Sequence, residues 1–276
     1  MTSIAPPNVP LSENSPPLKV ALEAAAAGGQ IVADYYHQGV QVWSKSEQEP
    51  QNLVSRADLE SEQKVAEIIR GYYPDHQIVG EEQAKGSIDA EHVWIIDPLD
   101  GTNNFAHRIP QFAVSIGYYQ SGKAQCGVVF NPIRGDWYWS VRGQGAYHNH
   151  RRLSVSAAQQ LSETLVGVGF YYDRGVMMEA TLRALHDFFK AGVHGTRRFG
   201  AASLDLCMVA DGMLGAFFEY HLSPWDFAAG GLIVEEAGGK ITTARGDPLP
   251  LQVTSVLASN NHIHTQALAI VNKHHP

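Results

Sequence analysis

The first sustained periodicity along the chain is LKVALEAAAAGGQIVADYYHQ, residues 18–38, where Leu, Ala and Val recur at helical spacing. Gly28-Gly29 interrupts the run, either weakening the helix or admitting another element at close range. DLESEQKVAEIIRGYY predicts a second helix with Leu59, Ala66, Ile69 and Tyr73 on one side. The period then shortens. HQIVGEE reads as a short strand ended by Gly80, and HVWIIDP as another whose ladder Pro98 ends, because proline has no N–H to donate. From Phe112 to Ser156, alternating or apolar runs are separated by Ser-Gly, Asn-Pro, Gly-Asp and Arg-Gly-Gln-Gly turns, the pattern of an antiparallel meander. Beyond Ser156, the strand-like TLVGVGF and GAFFEY alternate with the helix-like GVMMEATLRALHDFFKAG, AASLDLCMVADG and WDFAAGGLIVEEAGG. Layered helices and sheets are expected.

The opening MTSIAPPNVPLSENSPP, rich in Pro and Ser, predicts a mobile tail over 1–17, with order from about Leu18. The remaining residues, 18–276, at 44% hydrophobic content for the whole chain, are enough for one large domain with halves meeting near residue 156. A net charge of −8 argues against a basic surface for nucleic acid or anionic lipid, since the pairs Arg151-Arg152 and Arg197-Arg198 are too short to reverse it. No apolar stretch approaches the roughly 20 residues of a membrane span, and the N-terminus lacks the features of a secretion signal. The expected compartment is the cytoplasm, with no membrane partner. Cys126 and Cys207 are the only cysteines and read as small core residues.

Candidate chemistry concentrates in WIIDPLDGTNNF, residues 94–105. Asp97 is placed at the end of a strand and Asp100 one turn later, so both carboxylates face one point. Like charges at that range raise one pKa unless a cation lies between them, and all-oxygen ligands suit a hard ion such as Mg²⁺. Gly101 allows close approach of a ligand, and Thr102 offers a hydroxyl and an N–H at a possible helix start. The same spacing also serves plain turn caps, as do Asp58 and Asp226 at helix starts and Glu81 after Gly80. His148 with His150, and His262 with His264, have no third ligand nearby and are assigned no metal. Trp137-Tyr138-Trp139 reads as core and rim packing of a meander strand.

GEE at 80–82, WIIDPLDGTNNF at 94–105 and PWDFAAGGLIVEEAGG at 224–239 together resemble the inositol monophosphatase family, in order and in spacing, from about Leu18 to the C-terminus. The resemblance implies an α+β fold of alternating layers, an αβαβα sandwich of the sugar-phosphatase type. It implies a Mg²⁺-dependent, lithium-sensitive phosphomonoesterase using two or three ions, with Mn²⁺ as a substitute. Glu81, Asp97 and the Leu99 carbonyl would bind the first ion, Asp97, Asp100 and Asp226 the second, and a third would share Glu81. Asp58, in LVSRAD, would pair with Thr102 to orient or deprotonate the attacking water, and Gly101 and Thr102 would hold the phosphate. Lys45 matches the family more loosely, because its segment to Asp58 is about two residues longer.

For the substrate, Gly200 and Ala202 in HGTRRFGAASLDLC match positions that line the inositol site. Glu219, seven residues before Asp226, matches the acid that accepts ring hydroxyls and favours a polyol phosphate. The loop GFYYDRG at 169–175 departs from the family, and Tyr171, Tyr172, Asp173 and Arg174 either bind sugar hydroxyls or a second phosphate or form a solvated loop. The alternatives are a broader sugar phosphatase with fructose 1,6-bisphosphatase activity, a nucleotide 3'-phosphatase, or a protein-binding regulator with weak phosphatase activity. A homodimer is implied by the resemblance, with Arg197 near the contact.

Overall fold

The computed structural model describes residues 4–7, 15–45, 47, 50 and 52–276. Helix α1 spans Pro16–Gln38, followed by the two-stranded hairpin β1 (Val42–Ser44) and β2 (Leu53–Ser55) and by α2 (Arg56–Tyr72). Strands β3 (Gln77–Gly80) and β4 (His92–Asp100) precede the short helix α3 (Thr102–Ala106). The meander follows as β5 (Ala113–Gln120), β6 (Lys123–Asn131), β7 (Asp136–Val141), β8 (Gly145–His148) and β9 (Arg151–Arg152). Strand β10 (Leu165–Val168), α4 (Val176–Lys190), β11 (Gly195–Arg197), α5 (Ala202–Ala210) and β12 (Ala216–Leu222) come next. The last elements are α6 (Pro224–Glu236), β13 (Gly239–Thr242), β14 (Thr254–Asn260) and α7 (His264–Lys273).

Strands β3 to β9 lie in sequence order in one seven-stranded sheet, parallel only between β3 and β4. The second sheet has the order β11-β10-β12-β14-β13. Helices α1 and α2 cover one face of the larger sheet, α5 and α6 lie between the sheets, and α4 and α7 cover the far face of the smaller one. That is the expected αβαβα layering. Among the described residues, three large apolar cores and a small fourth cluster of Val93, Ile95 and Ala228 fill the interfaces between these layers, the middle core built around Leu206, Phe217 and Ile233.

The structure corrects the sequence expectations at three places and, at Gly28-Gly29, decides between the two alternatives in favour of close approach. Of the expected tail, Ile4 packs half-buried on the first core, and α1 already starts at Pro16. Prolines at the first two helical positions forfeit no intrahelical bond, so PP opens the helix rather than closing a tail. Residues 1–3 and 8–14 of that tail lie outside the described residues. Gly28-Gly29 does not interrupt α1: a Cβ at 28 would lie 2.8 Å from Ser61 Oγ and one at 29 would lie 2.5 Å from Phe130, so both serve close packing. The buried face of α2 is Asp58, Ser61, Glu62, Val65, Ala66 and Ile69, while Leu59 and Tyr73 are half-buried at its edge. Strand β4 does not end at Pro98 but continues to Asp100, with its register against β5 shifting between Asp97 and Asp100. The proline sits at that irregularity, where no ladder bond is asked of it.

Candidate active site

Three carboxylates converge at the C-terminal end of β4. Asp97 and Asp100 come from the strand's irregular end, and Asp226 from the first turn of α6, where it accepts the Ser223 N–H at 2.7 Å. One carboxylate oxygen from each lies within 4.8 Å of the other two. The shift in β4 brings Asp97 and Asp100 to one side, which regular alternation would not do at a spacing of three. Asp97 Oδ1 accepts the Leu99 N–H at 3.0 Å, and Asp100 accepts the N–H groups of Ala202 at 3.2 Å and Ser203 at 2.8 Å, plus the Ser203 hydroxyl. Burial, then the charge of Glu81, then those of Asp100 and Asp226, hold Asp97 well above the usual carboxylate range. Burial and the charges of Asp100 and Glu81 do the same to Asp226. Burial takes Asp100 to about 6 against the bonds from Ser203. Two buried carboxylates and a half-buried third, mutually repelling and all-oxygen, fit a hard divalent cation such as Mg²⁺.

Glu81 and Glu82 leave β3 directly after Gly80. Glu81 lines the same cavity, but its Oε1 meets Lys45 Nζ at 2.6 Å, and Glu82 bonds the same ammonium. The side chain of Glu81 is therefore not one of the tight trio. Lys45, a looser match in the sequence, stands in the cavity wall; burial opposes its charge, but the charges and hydrogen bonds of Glu81 and Glu82 together outweigh burial and raise its pKa. Burial, then the charge of Glu81, lifts Glu82 to about 7.

Sequence reasoning missed the residue that holds this loop. Glu62, 1% exposed, accepts the N–H groups of Glu82 at 2.8 Å, Gln83 at 2.6 Å and Ala84 at 2.7 Å. A Cβ on Gly80 would lie 2.4 Å from Glu62 Oε2, so the glycine of GEE makes room for the Glu62 carboxylate. The available signal was an acid four residues after Asp58 on an amphipathic helix, hence on its buried face.

Asp58 combines both readings the sequence left open. It is a helix cap, with Oδ2 accepting the Ser55 N–H and hydroxyl, both at 2.7 Å. Its Oδ1 also accepts the Thr102 hydroxyl at 3.1 Å, and that hydroxyl lies 3.1 Å from the Leu99 carbonyl. Burial, opposed by the Ser55 bonds, holds Asp58 at about 6, a poise suited to a base at neutral pH. Gly101 has φ 93°, a left-handed conformation that turns the chain from β4 into α3 and delivers Thr102 beside Asp58.

The trio and Thr102, with Asp58 buried behind its hydroxyl, face a cavity of about 330 Å³, also lined by Gly200, Ala202 and Glu219. Glu219 is 8% exposed and, among the described residues, its carboxylate has no hydrogen-bond donor. Burial, then the charges of Asp205 and Asp100, raises Glu219 to about 8 against the opposing charge of Arg198. Asp205, unmarked in the sequence reading, is a second buried acid on this wall, and its Oδ1 has no hydrogen-bond partner among the described residues. The divergent loop splits in two. Tyr171 and Tyr172 line the cavity, with Tyr171 3.9 Å from the His221 ring, so this part is not a solvated loop. Asp173 instead caps α4 through the N–H groups of Gly175 at 3.0 Å and Met177 at 2.8 Å, and Arg174 is exposed.

The other singled-out residues serve the fold. His148 bridges Asp136 at 3.1 Å and Asp211 at 3.3 Å, and buried His264 bonds Ser259 and Thr242. Trp137, Tyr138 and Trp139 are all buried, as are both cysteines. Arg197 lies exposed on β11.

Residues 13–275 match the inositol monophosphatase family. The chain is 42% identical to a putative Nus factor SuhB of Neisseria meningitidis serogroup B, over 94% of this chain and 99% of that one. It is also 42% identical to an inositol-1-monophosphatase of Caulobacter vibrioides, over 79% of this chain and 86% of the relative. The solved structure of an IMPase/NADP phosphatase complexed with Mg²⁺ and phosphate is 26% identical and superposes with a TM-score of 0.81, covering 92% of this chain and 94% of that one. The chain belongs to the inositol monophosphatase family. As a member it is a phosphoric monoester hydrolase, in a family that depends on Mg²⁺. No helix among the described residues is long and apolar enough to cross a membrane.

Proposed function

We propose that the chain hydrolyses inositol monophosphate, or a similar polyol monophosphate, by direct attack of water in a Mg²⁺-dependent reaction. The observation that carries this reading is the cavity itself. One wall holds the trio Asp97, Asp100 and Asp226 beside Thr102, which bonds Asp58, and another presents Glu219, a buried carboxyl with no donor among the described residues. The first arrangement suits a phosphate dianion with its counter-ions, and the second suits an alcohol rich in hydroxyls.

Asp97, Asp100 and Asp226 would hold Mg²⁺ together with Glu81 and the Leu99 carbonyl, in two or three sites. When bound there, Mg²⁺ neutralises phosphate charge and lowers the pKa of water. Gly101 and Thr102 hold the phosphate at the turn into α3. The Thr102 hydroxyl, already donating to Asp58, passes its proton to that carboxylate as it takes one from the attacking water. The new bond forms from the water oxygen to phosphorus while the bond to the alcohol oxygen breaks. Gly200, Ala202 and Glu219 position the alcohol. A cysteine nucleophile has no place in this scheme, since burial pushes the Cys126 thiol up to about 12 and the Cys207 thiol well above its ordinary value.

The catalytic unit is taken to run from the start of α1 at Pro16 to residue 276, acting in the cytoplasm as a homodimer. Phosphate release from inositol 1-phosphate, fructose 1,6-bisphosphate, adenosine 3',5'-bisphosphate and histidinol phosphate, each with and without Mg²⁺, tests the reading. Turnover led by inositol 1-phosphate and dependent on Mg²⁺ is expected, and a different leading substrate would displace the polyol assignment while keeping the metal chemistry. The relative named as a putative Nus factor supports a second role in protein binding. Pull-down with an inactive Asp97→Asn variant separates the two, because binding would survive the loss of turnover.

A further inference from the structure

Gly169 follows the last residue of β10, where the chain enters the cavity wall, and its N–H donates to the Phe218 carbonyl at 3.0 Å. That bond extends the parallel pairing of Val168 with Phe218 and fixes the Gly169 Cα beside the next residue of β12, Glu219. The Glu219 carboxyl occupies the space that a side chain at 169 would need. A Cβ there would lie 1.7 Å from Glu219 Oε2, 2.3 Å from Cδ and 3.1 Å from Cγ. The glycine is not required by its backbone, since it is absent from the positions with positive φ. What it supplies is room.

That room has a chemical consequence. A buried carboxylate without a protein donor takes its hydrogen bonds from whatever fills the cavity, so its position decides which groups it can accept. With the strand ends tied by the Gly169–Phe218 bond, the backbone cannot yield easily and the carboxyl must move instead. Resting on the polyol reading above, we propose that Gly169 is a positioning residue: its missing side chain seats the Glu219 carboxylate against the leaving alcohol and so sets the preference for hydroxyl-rich leaving groups.

The test compares inositol 1-phosphate with phenyl phosphate, whose leaving group carries no further hydroxyl, in Gly169→Ala, Glu219→Ala and the double variant. Gly169→Ala should lower the ratio of kcat/KM for the two substrates about tenfold, mainly through KM for inositol 1-phosphate, the loss of one hydrogen bond to the Glu219 carboxyl. In the Glu219→Ala background the same change should leave the ratio within about twofold, because no carboxyl remains to be displaced. A glycine that mattered only to the fold would lower both substrates together and keep the ratio. A wild-type ratio in Gly169→Ala, or a ratio that falls as far again in the Glu219→Ala background, overturns the proposal. If Glu219→Ala itself keeps the wild-type ratio, the polyol reading falls and takes the proposal with it; a lowered ratio there with an unaffected Gly169→Ala removes the proposal alone. Should Gly169→Ala fail to fold, recovery of folded protein in the double variant supports the clash with Glu219, and failure of both overturns it.

Discussion

Replacing Glu62 by Gln tests whether the loop that carries Glu81 is held by one carboxylate. Glu62 Oε1 accepts the N–H groups of Gln83 and Ala84, and Oε2 accepts that of Glu82. An amide keeps one oxygen for the first two and turns an NH₂ toward the third, setting donor against donor. The stranded N–H costs about 1–3 kcal/mol, and the two surviving bonds lose charge assistance worth about 1 kcal/mol each. Because Glu82 is only half-buried and its N–H can find water by a small shift, the total comes to about 3 kcal/mol. Against a typical stability of about 5–15 kcal/mol the variant still folds. Gly80 packs on the same carboxylate, so the loop cannot simply close over the altered side chain. Urea denaturation should show a lower midpoint at unchanged slope, and Mg²⁺ titration of activity should need several-fold more metal, since Glu81 is presented by this loop. A loss below about 1 kcal/mol together with a wild-type Mg²⁺ requirement would refute the anchoring argument.

Asp100→Asn should remove most activity at limiting Mg²⁺ with little loss of fold, because it relieves repulsion among Asp97, Asp100 and Asp226 while weakening the metal site; wild-type turnover there would sink the ligand assignment. His148 lies between Asp136 and Asp211, and bonding to Asp136, then to Asp211, raises its pKa to about 9. A raised histidine pKa stabilises fully below its unfolded value of about 6.5 and loses that contribution as pH climbs through the folded value. His148→Gln should therefore cost about 1–2 kcal/mol at pH 6 and much less at pH 10 in urea melts, and an equal cost at both would contradict the ion-pair account. Gly29→Ala should lower stability by about 1–2 kcal/mol despite alanine's higher helix propensity, since its Cβ would meet Phe130 at 2.5 Å and Phe130 is wedged on Trp137. A higher melting temperature in that variant would show that the ring moves aside freely.

Periodicity alone identified α1, α2, the meander β5 to β9 and the helices α4 to α6, because in those segments local spacing and burial agree. The hairpin β1–β2 and the strands β11, β13 and β14 carried too short or too mixed a pattern to be read, and only pairing with neighbouring strands makes them. The acids of the trio were legible as residues, since D-x-x-D-G-T and W-D-x-A-A-G concentrate carboxylates beside glycine and small residues. Their convergence was expected from the D-x-x-D spacing and the family resemblance, but the means of it was not legible. It depends on the shift at the end of β4 and on α6 packing between the two sheets, contacts made across more than a hundred residues of chain. Asp205 and Gly169 could not be singled out in sequence for the same reason, and Glu62 only by its place on the buried face of α2: an acid in a helix or a glycine after a strand is ordinary until another segment is pressed against it. Residue type fixes donor chemistry, so the residues able to bind a metal and a phosphate could be read directly from the chain. Which carboxylates share a charge, which one is left without a donor, and which glycine makes room for it were decided by tertiary packing, where distance and exclusion of water set every interaction.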